Sequence, residues 1–465
     1  MASLPLHLAG YASVGESGGK AFLPAPESAN VTGASDDIMT KLPVMLYPDP
    51  ARVVIKPFVP AEDPPGYKRK DRPRAQRIAD RVLAMSDAEL KTELARVLAS
   101  LTDRYRDVET ILTRRFHAVN GGILTKCSIT HDHELLIGAY FSEEYSFEAA
   151  ALFNPSIVIH PNQSGVGAGS LRFILSLRGV GEGHLSSVTF RTGLWLPDGS
   201  LVIDSPSLRA ITPRIEYVPG ADPDNPRVRL FCEESHDLSE IVIFPITPSQ
   251  RHGIEDVRLA GFTDDDGSIT YYGTFTAFSG ESIRQEMLST TDFATFEIRA
   301  LRGAATDNKG MALFPRKING RYAMLGRQDH ETIWLLTSDD IYKWEGGSTI
   351  ITPRWPWEFV QLGNSGSPIE INEGWLVLTH GVGAVRNYCL GACLLDRDDP
   401  SKLLARTTQP LLRPSPEERF GYVPNIAYSC GAIVHDRSLL LPYALADSFT
   451  TFATVPIDTL LAAMA

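Results

Sequence analysis

The sequence predicts an all-β protein, a five-bladed β-propeller with an N-terminal helical extension. Two observations lead to this fold class. From about residue 120 to the C-terminal Ile457–Met464, the chain shows short apolar strands and turns rather than a helical period. Within that region a unit recurs: an apolar strand, a turn, a second strand and then a Ser/Thr-Asp element before an aromatic or aliphatic residue. Repetition at a fixed period is typical of propellers.

The recurring unit appears about every 50 to 60 residues, a spacing that suits one four-stranded blade. A β-sandwich with similar turns is the alternative, since a sandwich does not need a repeat. If the fold is a propeller, we expect the segment 205–251 to be an elaborated connection. The copies begin at Arg172–Asp198, Tyr272–Phe278, Tyr322–Arg327, Trp375–Val382 and Leu439–Asp447.

The N-terminal part divides by composition. Residues 1–41 are rich in Gly, Ser, Ala and Pro without periodicity, which predicts a flexible tail. Residues 42–118 predict a proline-rich strap followed by two or three helices, because apolar residues there recur at helical spacing. Ser86 and Glu89 form a capping-box pattern at the start of one helix. Residues 119–465 are the predicted propeller domain, and the helices before it could contact a second subunit in a homo-oligomer.

Composition limits the partners and the compartment. The formal net charge of −12 argues against binding to nucleic acid or to an anionic membrane. The N-terminus has no signal-peptide pattern, and no apolar run reaches the length of a membrane span. The five cysteines show no zinc or disulfide spacing, which is typical of buried thiols in a reducing cytoplasm. We therefore expect a cytoplasmic protein.

The segment Gly253–Arg258 is the most informative motif. It places Glu255, Asp256 and Arg258 within four positions, directly before an apolar run. Such a strand edge can bind a polyol, and it can set the protonation state of a carboxyl group, because a nearby cation lowers its pKa and burial raises it. A surface salt bridge at a strand end is the alternative for an isolated motif of this kind.

Other polar residues occur at strand ends, where turn or scaffold roles are the alternatives. Asn154 and Ser156 interrupt an apolar run and could bind a hydroxyl group or cap a turn. His131 and His133 resemble metal ligands, but no third ligand is evident, so a polar strand end is predicted and no metal site. The remaining candidates are Arg178, Arg327, His380, Tyr388 and Asp447.

With these residues assembled, the chain resembles glycoside hydrolase family 130, the β-mannoside phosphorylases and β-mannosidases. The resemblance runs from about Phe153 to the C-terminus, and the order of the motifs is more specific than any one of them. That family implies a five-bladed propeller with the active site in its central funnel. The motifs are Asn154-Pro155-Ser156, Gly253–Arg258, Lys309–Tyr322, Gly374–Val382, Leu394-Leu395-Asp396, Asp399-Pro400 and Pro424–Gly431.

The resemblance implies a role for each candidate. Asp256 takes the position of the catalytic acid, which in the phosphorylases is thought to protonate the glycosidic oxygen through a hydroxyl group of the bound mannose. Neutral-pH catalysis then needs a carboxyl group that is still protonated. The expected substrate-binding residues are Asn154, Ser156, Arg178, Glu255, Arg258 and Asp447, and the expected phosphate-binding residues are Arg327, His380, Tyr388 and Gln361.

Two departures from the family pattern concern the phosphate. Gln361 stands where the phosphorylases have a lysine, and Thr379 precedes His380 where a tyrosine is usual. Glutamine can donate a hydrogen bond to phosphate but brings no charge. An inverting hydrolase would instead need a second carboxylate to activate water, for which Glu345, Glu370 and Glu373 are the free candidates.

The predicted function is cleavage of a non-reducing-end β-mannoside with inversion, transferring the mannosyl group to phosphate to give α-mannose 1-phosphate. The partners are then a β-mannoside oligosaccharide and inorganic phosphate, with no metal or organic cofactor. An inverting β-mannosidase on the same fold is one alternative. A propeller that only binds carbohydrate is another.

Overall fold

The computed structural model describes residues 38–67, 72–120, 129–219 and 227–465. Within them the protein is mostly β, and all of its strand pairs are antiparallel. None of the described helices is long and apolar enough to cross a membrane. The α-helices are α1 (Arg74–Leu83), α2 (Asp87–Leu101), α3 (Val108–Asn120), α4 (His131–Tyr140) and α5 (Ile457–Ala462).

The strands, in chain order, are β1 (Thr40–Leu46), β2 (Val53–Pro57), β3 (Ser142–Ser146), β4 (Ala151–Ile159), β5 (Leu171–Val180), β6 (Ser186–Trp195), β7 (Leu201–Ile203), β8 (Arg214–Tyr217), β9 (Val228–Phe231), β10 (Val242–Ile243), β11 (Gly253–Thr263), β12 (Ile269–Phe278), β13 (Ile283–Thr290), β14 (Thr295–Ala300), β15 (Ala312–Leu313), β16 (Tyr322–Gly326), β17 (Ile333–Ser338), β18 (Gly347–Ile351), β19 (Gln361–Asn364), β20 (Ile369–Ile371), β21 (Gly374–Val382), β22 (Tyr388–Leu395), β23 (Leu403–Arg406), β24 (Ala427–Tyr428), β25 (Ile433–His435), β26 (Ser438–Leu445) and β27 (Phe449–Pro456).

These strands form five sheets of four to six strands and one two-stranded sheet, β2-β3. The first sheet has the order β10-β6-β5-β4, with β7 beside β6, and the second has the order β11-β12-β13-β14-β9-β8. The third is β15-β16-β17-β18, and the fourth is β19-β21-β22-β23, with β20 beside β21. The fifth is β1-β27-β26-β24, with β25 beside β26.

The apolar core lies between successive sheets rather than in one central layer. Each sheet is too small to bury both of its faces alone, so its apolar side chains pack against the next sheet. One residue pair illustrates each interface: Phe190 with Phe275, Phe262 with Leu313, Leu325 with Trp375, Leu390 with Leu441, and Leu440 with Leu175.

Hydrogen bonds also join each sheet to the next, and the last bond returns from the fifth sheet to the first. In order they are Leu259 N–H to Ser156 Oγ, Thr274 Oγ1 to the Met311 carbonyl, Leu362 N–H to the Glu331 carbonyl, Tyr388 N–H to the Asn425 carbonyl, and Cys430 N–H to the Pro155 carbonyl.

Helices α1 to α4 share an apolar core that includes Leu90, Leu112 and Leu136. The capping box at the start of α2 is present: the Ser86 backbone N–H donates to a Glu89 carboxylate oxygen at 2.8 Å, and Ser86 Oγ accepts from the Glu89 N–H at 3.4 Å. Both bonds satisfy N–H groups that a helix start leaves without a partner.

Three features differ from the sequence-based expectations. β1 pairs with β27 in the fifth sheet, so residues 40–41 of the predicted tail and residues 42–46 of the predicted strap belong to that sheet. The strands β8 and β9 extend the second sheet from within the predicted connection 205–251. His131 and His133 lie in α4, capped by Thr130, and not at a strand end, because the apolar run Leu135–Gly138 is a helix segment buried among other helices.

Residues 1–37 of the predicted tail 1–41 lie outside the described residues.

Candidate active site

Asp256 lies in a β-bulge near the start of β11. The pairing register with β12 shifts between Glu255 and Arg258, and Asp256 has φ = +57°. A left-handed backbone is rare for a residue other than glycine, and it costs about 1–3 kcal/mol unless the surroundings enforce it. Bulges redirect side chains, so this local strain aims the Asp256 carboxylate away from the regular sheet faces.

A left-handed backbone also occurs at two other candidate site residues. Asn154 has φ = +49° in a bulge of β4, where the register with β5 shifts between Phe153 and Ser156. Asp447 has φ = +48° in the tight turn between β26 and β27. The Asn154 amide donates from Nδ2 to Asp256 Oδ1 at 2.6 Å, which connects the first and second sheets.

Cationic side chains surround the paired acidic residues Glu255 and Asp256. Arg178, near the end of β5, donates from Nη2 to Glu255 Oε1 at 3.1 Å and from Nη1 to Asp256 Oδ1 at 3.4 Å. Lys309 Nζ lies 2.6 Å from the other Glu255 oxygen, Oε2. The Glu255 carboxylate bridges two donors, and it thereby orients Arg178 and Lys309 beside Asp256.

The protonation of this cluster differs from the expectation of a protonated Asp256. Burial acts to raise the pKa of Asp256, but the charges of Arg178, Arg258 and Lys309, with the Asn154 hydrogen bond, hold it below its ordinary value. Burial and the negative charge of Asp256 raise the pKa of Asp447 to about 7. In the free site, therefore, Asp256 is ionised, and Asp447 is the carboxyl group that gains a proton near neutral pH.

A second cluster contains the four predicted phosphate-binding residues. His380 on β21 lies beside Gln361 on β19, with 3.1 Å between His380 Nε2 and Gln361 Nε2. Arg327, which follows β16, places Nη1 3.4 Å from the same His380 nitrogen. The ring of Tyr388 is nearly parallel to the imidazole ring, with the centroids 6.3 Å apart. The structure therefore brings all four together.

The hydrogen bonds of His380 define its tautomer. Nε2 faces donors from Gln361 and Arg327, so it accepts, while Nδ1 lies 3.3 Å from Ser365 Oγ and donates on the other side. Burial lowers the pKa of His380 well below its ordinary value, and the charges of Arg327 and Arg258 lower it further. His380 is therefore a neutral imidazole that offers a lone pair to the site.

Arg258 lies between the two clusters. It donates from Nη2 to the Tyr428 hydroxyl at 2.8 Å, and its charge lowers the pKa of both Asp256 and His380. Ser156 has no exposed surface, and its Oγ accepts the Leu259 N–H. Its role is to join two sheets, and the prediction that it contacts substrate is corrected.

Sequence reasoning missed Tyr428, whose ring centroid lies 5.0 Å from that of His380. Tyr428 lies within the last matching motif, and that position was the one available signal. Several buried polar atoms at the two clusters have no hydrogen-bond partner among the described residues, an arrangement that is rare in folded proteins. They are Asn154 Oδ1, Arg178 Nε, Arg258 Nε, Arg327 Nε and Asn364 Oδ1.

The three carboxylates considered for a hydrolase point elsewhere. Glu370 forms a bidentate pair with Arg316 at 2.7 and 2.8 Å, and Glu373 pairs with Arg437 at 2.9 Å. Glu345 is exposed and pairs with Lys343. Among the described residues, no cluster of three or more His, Cys, Asp or Glu side chains could bind a metal ion.

Comparison with known proteins gives one family and several curated relatives. Residues 227–465 match the sequence profile of glycoside hydrolase family 130, described as beta-1,4-mannooligosaccharide phosphorylase. A 1,2-beta-oligomannan phosphorylase of Thermoanaerobacter sp. (strain X514) is 35% identical over 218 residues, which cover 45% of this chain and 71% of that protein. A beta-1,2-mannobiose phosphorylase of Listeria innocua is 33% identical over 214 residues, which cover 44% of this chain and 58% of that protein.

Among solved structures, the beta-1,2-mannobiose phosphorylase from Listeria innocua, in complex with beta-1,2-mannobiose, aligns with a TM-score of 0.51 and 22% sequence identity. The alignment covers 68% of this chain and 92% of that one. At this level of identity the likeness concerns the fold.

Proposed function

Because this chain belongs to glycoside hydrolase family 130, we propose that it is an inverting β-mannoside phosphorylase, which transfers a mannosyl group to phosphate and releases α-mannose 1-phosphate. The membership confirms the resemblance inferred from the sequence. The observation that supports phosphorolysis most is the second cluster, in which the charges of the buried Arg258 and the partly buried Arg327 act on a neutral histidine. The hydrolase candidates Glu345, Glu370 and Glu373 all lie in salt bridges elsewhere.

We also propose that the five larger sheets are the blades of a closed propeller. The hydrogen bonds between successive sheets run from the first to the fifth and back to the first, and apolar clusters fill each interface. The bulges with Asn154 and Asp256 lie in the first strands of two successive blades, so both side chains would face the central funnel.

In this proposal the cluster around Glu255 and Asp256 positions the mannosyl group. Asn154, Arg178 and Asp447 bind sugar hydroxyl groups, and Asp256 supplies the proton that the leaving group needs. The free site keeps Asp256 ionised, so a proton must be taken up when substrate binds. Asp447 is the source that the electrostatics favour, since its carboxyl group titrates with a pKa of about 7 beside Asp256. A mannose hydroxyl group would then relay the proton to the glycosidic oxygen.

The second cluster positions the nucleophile. Phosphate attacks the anomeric carbon from the face opposite the leaving group, so the new C–O bond forms as the glycosidic bond breaks and the configuration inverts. Arg258 and Arg327 supply the positive charge that Gln361 does not, and Gln361 and Tyr388 add hydrogen bonds. The lone pair of His380 Nε2 faces the Gln361 and Arg327 donors, so His380 positions both of them beside the phosphate. Phosphate is itself the nucleophile, so no general base is required.

The alternatives are separated by a test of phosphate dependence. We expect the purified protein to cleave β-1,2- or β-1,4-linked mannosides only when phosphate is present, and Asp256→Asn to lose turnover. Equal rates with and without phosphate would indicate the β-mannosidase. A protein that binds mannosides equally well before and after Asp256→Asn, with no turnover in either form, would indicate a carbohydrate-binding propeller.

Two further expectations remain proposals. We infer a cytoplasmic location from the four described cysteines, which are all buried free thiols. We also propose that the helices α1 to α3 contact a second subunit. Sedimentation analysis of the intact protein tests this: a monomer at micromolar concentration would exclude the subunit contact.

A further inference from the structure

A large cleft lies away from both clusters of the active site. Its volume is about 1070 Å³, comparable to sites that bind drug-sized ligands. Three parts of the chain form most of it: the end of β2, helix α3 with the residues before it, and the segments 209–217, which includes β8, and 244–248. No residue of the proposed sugar or phosphate sites lines it.

The lining combines apolar walls with basic residues. Ile111, Val242 and Phe244 are among the apolar side chains. Seven basic and two acidic residues line the same cleft, although the whole chain has a net charge of −12. The acidic residues are Asp107 and Glu234, and the basic residues are Lys56, Arg106, Arg114, Arg115, Arg209, Arg214 and Arg251.

Most of these cations are already neutralised by carboxylates. Arg106 forms a bidentate pair with the buried Glu240 at 2.7 and 2.9 Å. Arg114, Arg214, Arg251 and Lys56 each pair with a glutamate. These pairs leave the lining with fewer free charges than its composition suggests.

Arg115 and Arg209 have no carboxylate partner among the described residues. Arg115 donates only to the backbone carbonyls of Phe141 and Phe58, at 2.6 and 3.1 Å, and burial lowers its pKa. The half-buried side chain of Arg209 makes no hydrogen bond or ion pair with any described residue. A partly buried guanidinium without a counter-ion favours binding of an anion.

We propose that this cleft binds an amphiphile with an apolar chain and a phosphate monoester head. The apolar walls accept the chain, and Arg209 and Arg115 neutralise the head. Guanidinium groups bind phosphate oxygens through paired N–H donors, which distinguishes a charged head from a neutral one of the same size. The proposal is independent of the proposed reaction, since it uses none of the active-site residues.

Calorimetric titration of the full chain with octyl phosphate tests the proposal. Excess inorganic phosphate is present throughout, so that the phosphate site of the active centre is filled. We expect one binding site for octyl phosphate and no binding of 1-octanol. Arg209→Ala weakens the affinity by about tenfold, as expected for loss of a charged hydrogen bond. The exposed Arg302→Ala, outside the cleft, leaves it unchanged.

A second variant tests the apolar part of the cleft. Ala118→Trp inserts bulk into the cleft from an exposed position of α3, and we expect it to weaken octyl phosphate binding while the melting temperature and phosphorolysis stay unchanged. Several results would overturn the proposal. These are no binding of octyl phosphate, equal binding by 1-octanol, or full affinity in both Arg209→Ala and Ala118→Trp.

Discussion

Asn154 donates a hydrogen bond of 2.6 Å from its side-chain amide to Oδ1 of Asp256, and this bond connects two sheets at the positions where their first strands bulge. Both residues have a left-handed backbone. A left-handed backbone is unfavourable at each of these residues. The packing of the sheets must therefore maintain both bulges and the hydrogen bond between them. The geometry orients the carboxylate before substrate arrives, which is the preorganisation that catalysis needs.

Removal of the Asn154 amide should therefore reduce activity. We expect kcat/KM to fall about 100-fold in both Asn154→Gly and Asn154→Ala, because the carboxylate loses its orienting donor. The alanine variant should also be less stable than the glycine variant by about 1 kcal/mol, since only glycine accepts the left-handed backbone freely. Steady-state kinetics and thermal unfolding measure both effects. Equal stability of the two variants would show that the backbone strain is absent.

Asp447 should destabilise the folded protein above neutral pH. Its pKa is about 7 in the folded protein and about 4 in the unfolded chain, so the folded state binds more protons between these values. Stability from this group is present below pH 4 and is lost as the pH rises through 7. Asp447→Asn should then raise stability by about 1–3 kcal/mol at pH 8 and have little effect at pH 4. Melting curves at both pH values test this, and a pH-independent difference would contradict it.

Ser365 should act as a positioning residue for His380. Ser365→Ala removes one of two groups that hydrogen-bond the imidazole near Nδ1, the other being the Asn364 backbone, so the tautomer that turns a proton toward the phosphate site becomes more accessible. We expect the KM for phosphate to rise about 3- to 10-fold with a smaller change in kcat. Nitrogen-15 NMR of the imidazole reports the tautomer directly. The matched control Ser348→Ala, on exposed β18, should change neither measurement; an unchanged KM in Ser365→Ala would refute the positioning role.

Gln361 should limit the affinity for phosphate. Gln361→Lys places a cation 19 residues before His380, at a position that already contacts the imidazole nitrogen, and should lower the KM for phosphate by about 3- to 10-fold. Gln361→Met, of similar size, removes the hydrogen bond without adding charge and should raise the KM. If both variants change the KM in the same direction, the side chain does not face phosphate.

Much of the fold class and most of the site could be predicted from the sequence, because the motifs record local strand and turn chemistry. Glu255, Asp256 and Arg178 meet as expected, and so do Arg327, Gln361, His380 and Tyr388. The alternation of strands and turns also indicated a mostly β chain, since it is a short-range pattern.

Long-range relationships could not be predicted in this way. β1 pairs with β27, roughly 410 residues away, and nothing local in Thr40–Leu46 specifies that partner. The sequence predicts a strand end where the structure has the helix α4, because a short apolar run fits either structure. The charge state of Asp256 depends on the distances to Arg178, Arg258 and Lys309, so its lowered pKa became visible only in the structure.

The most direct test of phosphorolysis is identification of the first product by phosphorus and proton NMR while the protein cleaves a β-mannobiose in phosphate buffer. We expect α-mannose 1-phosphate to accumulate in step with the loss of inorganic phosphate. Free mannose as the first sugar product, with the phosphate signal unchanged, would show that the reaction is hydrolysis.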